Sequence, residues 1–260
     1  LVERPVIRAA AALAACALLA SCATAPSPVP APLTGYLSDE AVGVLLPAMP
    51  LAPVTVAREP LPNTHGQDRW WLATAHAELR PPWAAQHFDC VLGTRLASKP
   101  RPALERIMGR LLVDADSLSR RMSAIMQRSR PVAAIPDIEP CQRISAETRA
   151  SNSWPATGAA AGAAWGELFA ELAPDQADAL RHLGREIGLS RAICRMNWPT
   201  DVQAGAMAGL AVHDAASRTP EFAADLAAAR AELAAARAEG LANPSCAAER
   251  RALATPGADR

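Results

Sequence analysis

Three short clusters carry residue types that helix packing does not explain. They are Arg130-Pro131, then Ser153-Trp154-Pro155-Ala156-Thr157-Gly158, then Ser190-Arg191 through Asp201. Arginine grips an oxyanion bidentately, which makes Arg130 and Arg191 candidate anion ligands. The competing reading of both arginines is structural: ion pairs with carboxylates such as Asp201. No histidine falls inside the clusters. His65, His76, His87, His182 and His213 are read as surface or satisfied interior histidines.

In order and spacing the clusters resemble the three-part signature of the bacterial class A non-specific acid phosphatases. That family belongs to the all-helical superfamily of type 2 phosphatidic acid phosphatases and vanadium haloperoxidases. Its pattern is Lys, six residues, Arg-Pro; then Pro-Ser-Gly-His; then Ser-Arg, five residues, His, three residues, Asp. The resemblance runs from about Trp70 to Ala216. Its flanks include Asp114-Ala115-Asp116, Gly188 to Cys194, and Trp198-Pro199-Thr200-Asp201-Val202. It implies an all-α, single helical-bundle domain of the acid phosphatase/haloperoxidase type. It also implies a chemistry. The third-motif His attacks phosphorus, and the Asp four residues later holds that imidazole. The second-motif His protonates the leaving alkoxide. The Lys, the arginines and the Ser hold the phosphoryl oxygens.

This chain departs from the pattern at the chemical positions. Ser123 stands where the Lys belongs, seven residues before Arg130. Pro155 is kept, but Ala156, Thr157 and Gly158 replace Ser, Gly and His. Ser190, Arg191 and Asp201 are kept, while Asn197 replaces the nucleophilic His. An amide lacks the nucleophilic lone pair of an imidazole, and glycine has no proton to give. The expectation is therefore a pseudoenzyme that keeps the fold and weak phosphate or phosphoester binding at Arg130 and Arg191, with Asp201 a residual orienting carboxylate. The alternatives are an acid phosphatase working through a non-standard nucleophile, and a purely structural envelope protein. No cofactor and no metal site are expected.

The elements that must position these residues read as helices. Leu104, Ile107, Leu111, Leu118, Met122 and Ile125 predict one helix over 102–127. Trp165, Leu168, Phe169 and Leu172 repeat the pattern. Further helices are expected over 67–79, over 175–187 with Gly188 as its stop, over 202–216, and from Thr219-Pro220 to Gly240. No stretch alternates as a strand would, and 61 of the 260 residues are alanine, which favours helix over a bulky core.

The start of the chain reads as an address. Arg4 and Arg8 precede an apolar run ending in Leu19-Ala20-Ser21-Cys22, which resembles a lipobox with Cys22 the acylated residue. Ala23 follows, so the expected place is the outer membrane facing the periplasm, with a soluble periplasmic protein the alternative. The domain reading is signal peptide 1–21, lipidated cysteine with proline-rich tether and lead-in 22–64, helical domain 65–240, and a loose tail 241–260 pinned by Cys246. Cys90, Cys141, Cys194 and Cys246 suggest two disulfides of open connectivity. With 26 basic and 26 acidic residues, the chain carries no excess for nucleic acid. The expected membrane contact runs through Cys22; no protein partner is indicated.

Overall fold

The computed structural model describes residues 32–50, 61 and 64–254. The expected signal peptide, Cys22 and nearly all of the proline-rich tether lie outside the described residues. Eleven α-helices and no strand occur among them. In chain order they are α1 (Asp39–Leu45), α2 (Asp68–Ala75), α3 (Asp89–Leu92), α4 (Pro102–Ile125), α5 (Pro131–Ala134) and α6 (Ala146–Ala150). Then follow α7 (Thr157–Leu172), α8 (Ala177–Ile193), α9 (Pro199–Ala216), α10 (Pro220–Ala238) and α11 (Cys246–Leu253). None is long and apolar enough to cross a membrane.

The bundle is built around α7, where 13 of 16 residues are buried. A helix apolar on all sides needs neighbours on all sides, and α4, α8, α9 and α10 supply them. Its alanines and glycines set how close those neighbours come. A Cβ on Gly184 would meet the Gly162 carbonyl at 2.5 Å, and one on Gly209 would meet the Ala160 carbonyl at 2.1 Å. Small residues thus trade buried area for backbone proximity. The bulk comes from α4 and the second half of α7: Trp165 donates its indole N–H to the Met108 carbonyl at 3.0 Å, and Phe169 stacks on Phe88.

The α4 stripe is buried as its spacing predicts, except Ile125, which ends the helix 51% exposed. Thr219 caps α10, accepting the Phe222 amide at 3.2 Å with Pro220 in the first turn. Gly188 does not stop α8, which continues to Ile193. The glycine is there for packing: its Cβ would lie 3.2 Å from the Ala159 Cα. The stretch after Leu241 is also more ordered than its aperiodic sequence suggests. Its residues 246–253 form α11, which packs on α2.

Residues 33–49, read from sequence as lead-in, fasten onto the bundle. The Tyr36 and Leu37 amides donate to the Asp114 carboxylate at 2.8 and 3.2 Å, and the Tyr36 hydroxyl donates to Asp225 at 2.8 Å. Of the three possible disulfide pairings the structure has Cys90–Cys246 and Cys141–Cys194. The first ties α11 to α3; the second ties the loop before α6 to the end of α8. Lys99, the chain's only lysine, pairs with Glu239 after α10 at 3.3 Å, where Arg101 also binds at 2.9 Å.

Candidate functional site

The three clusters meet where the end of α8 and the start of α9 pass the start of α7. α7 starts at Thr157 after Ala156, which offers no side-chain cap, and its entry is fixed from both sides. The Ala156 amide donates to the Asp201 carbonyl at 2.9 Å, and the Ser123 hydroxyl, at the end of α4, donates to the Trp154 carbonyl at 2.8 Å. Ser123 therefore spends its hydroxyl on the backbone.

Asp201 is fully buried and fully engaged. It accepts from Arg128 at 2.7 Å, from the Ser153 hydroxyl at 2.5 Å and from the Trp198 amide at 3.0 Å. The last of these caps α9 from inside its own first turn. Its arginine partner is thus neither Arg130 nor Arg191, the two that sequence reading offered. Arg128 also reaches Thr200 at 2.7 Å and stacks over Trp198 at 5.2 Å. The only available sequence signal for Arg128 was its place two residues before Arg130.

Asn197 is buried, its amide donating to the Ser153 carbonyl at 2.5 Å. Ser190 does not face the clusters either. Its hydroxyl donates to the Glu186 carbonyl at 2.8 Å and accepts from Arg69 at 3.0 Å, with His76 Nδ1 at 2.9 Å. Arg69 in turn forms a buried ion pair with Glu186 at 2.9 Å. Ser190 is thereby a structural residue, and Arg69, Glu186 and His76 are its unforeseen partners.

Arg130 donates to the Met196 carbonyl at 2.7 Å and to Ser151 at 3.0 Å. Burial lowers its pKa, and the nearby charge of Asp201 works against that. Arg191 stands differently. Its half-buried guanidinium has no hydrogen bond or ion pair among the described residues. Burial, and then the like charge of Arg130, push it down to about 10. The Arg191 side chain crosses Gly158, where a Cβ would lie 2.8 Å from its Cδ. The amides of Thr157 and Gly158, in the first turn of α7, likewise find no acceptor among the described residues. Two neighbouring guanidiniums and an open helix start thus bring positive potential together, offset in part by Asp201 beside Arg130.

Among the described residues no group of three or more His, Cys, Asp or Glu side chains could hold a metal ion. Within this all-helical bundle Arg191 lies beside Gly158 and near Arg130, and Arg130 lies near Asp201. No protein-family model matches the chain. Curated relatives do. Over 174 residues it is 27% identical to an acid phosphatase of Zymomonas mobilis, covering 64% of this chain and 63% of the relative. Non-specific acid phosphatases of Providencia stuartii and Salmonella typhimurium are 27% and 28% identical to it, over 65% and 67% of their lengths. The chain therefore spans just under two thirds of the first of these relatives, and it is related to the bacterial non-specific acid phosphatases.

Proposed function

We propose that this protein is an acid phosphatase relative that binds a phosphate-like oxyanion without hydrolysing esters by the family route. The observation that carries the reading is Arg191. Its half-buried guanidinium has no protein acceptor among the described residues, and a tetrahedral oxyanion would satisfy it together with Arg130 and the α7 amides. Support for lost turnover comes from the side chains at the family's chemical positions. Asn197 is committed to the Ser153 carbonyl, Gly158 bears no acid, and Asp201 is spent on Arg128, Ser153 and Trp198. Support for an envelope lipoprotein is the sequence alone: Leu19-Ala20-Ser21-Cys22 and the prolines that follow.

The test combines binding with turnover. Inorganic phosphate or vanadate raises the melting temperature of the full chain, and Arg191→Ala removes the shift. On p-nitrophenyl phosphate between pH 4 and 8 the protein stays at background. Turnover that vanishes on Arg191→Ala overturns the reading in favour of another nucleophile. Anchoring is checked by incorporation of labelled palmitate, lost in Cys22→Ala.

A further inference from the structure

We propose that a second site, between α2, the turn 83–88 and α11, takes a small organic ammonium ion with an apolar body. The cavity there has a volume of about 510 Å³, within the roughly 300–1,000 Å³ usual for small-molecule sites. Its wall carries the carboxyls of Asp68, Glu78 and Glu249 and no arginine or lysine. Asp68 is paired with Arg251 and Glu78 with Arg80. Glu249 has no side-chain hydrogen bond or ion pair among the described residues.

The second, independent observation is His76, also in the cavity wall and fully buried. Its Nδ1 lies 2.9 Å from the Ser190 hydroxyl, whose single proton goes to the Glu186 carbonyl while Arg69 donates to its oxygen. Nδ1 must then carry the ring proton, and burial keeps the imidazole neutral. That leaves Nε2 a bare acceptor, and it has no partner among the described residues. Nδ1 faces Ser190 of α8, Nε2 lies across the ring from it, and His76 lines the cavity. An unpaired carboxylate and an unpaired imidazole nitrogen in one wall call for a ligand with charge and at least two N–H donors, which an alkylammonium supplies. Leu72 and the 60% exposed Trp71 offer its body an apolar bed.

The experiment is calorimetric titration of the full chain with phenethylamine, 2-phenylethanol and trimethylphenethylammonium. The amine binds saturably, and the alcohol and the donor-less quaternary ion bind at least tenfold more weakly. Glu249→Gln, which breaks no existing bond, weakens the amine at least tenfold, as does Ala248→Trp at the exposed mouth. Affinity rises as pH rises through Glu249's pKa of about 7, which burial and Asp89 elevate against Arg250. Among the groups facing Glu249, Arg80 holds Glu78 down, burial raises Asp89, and His76 and His87 stay neutral through burial. The ¹⁵N resonance of His76 Nε2 moves on adding amine, and Arg191→Ala leaves amine binding unchanged. Absence of saturable amine binding, equal affinity for amine and alcohol, or indifference to both cavity variants overturns the proposal.

Discussion

Arg191 lies across Gly158, with the position of a missing Cβ 2.8 Å from its Cδ and 3.1 Å from its Nε. The glycine is the reason the guanidinium can rest there. A side chain at 158 and the present course of Arg191 exclude each other, so replacing this residue also displaces an arginine.

Gly158→Ala therefore moves Arg191 and weakens the phosphate-induced rise in melting temperature. Gly158→His with Asn197→His does not restore turnover on p-nitrophenyl phosphate. The new imidazole at 197 finds its carboxylate already shared among Arg128, Ser153 and Trp198. Loss of the Asn197 to Ser153 bond alone costs about 1 kcal/mol in urea denaturation.

Arg128→Ala leaves a fully buried Asp201 without its guanidinium. Removing one member of a buried pair costs about 3–5 kcal/mol. The expected result is a large drop in the denaturation midpoint, while Arg130→Ala, whose partners are a carbonyl and an exposed hydroxyl, costs much less.

Replacing Cys90 and Cys246 by serine opens a loop with a sequence separation of 156. The expected loss of stability is about 2–5 kcal/mol. Limited proteolysis then cuts first between 240 and 254, where α11 has lost its tie to α3.

Asp114 is buried under the backbone of Tyr36 and Leu37, and burial lifts its pKa from 3.8 to about 6 against those two amides and Arg110. A folded-state pKa above the unfolded one means the native state holds the proton more tightly. Stability from this group is complete below about pH 4 and is lost as pH rises toward 6, by about 3 kcal/mol at most. Asp114→Asn flattens that slope in denaturation curves taken between pH 4 and 7.

The helices were legible where burial is one-sided. The Leu104 to Met122 stripe and the Thr219-Pro220 start each leave a local mark. Gly188 misled because a glycine that ends a helix and one that admits a neighbouring backbone look alike in one dimension. α11 was missed because only Ala252 of its residues is buried, so no apolar period betrays it. At the site, the departures at 123, 158 and 197 are readable residue by residue. The partner of Asp201 is not, since three nearby arginines have the same chemistry and only geometry selects Arg128.

Lys99 sits 64% exposed between the start of α4 and the end of α10. It is the molecule's only lysine, so an acylating dye has a single side-chain address on the whole body. A fluorophore placed there reports on the Glu239 junction without mutagenesis. A protease that cuts on the amino side of lysine, by the same count, divides the chain at Ser98–Lys99 into two fragments, held together by the Cys90–Cys246 bond until it is reduced.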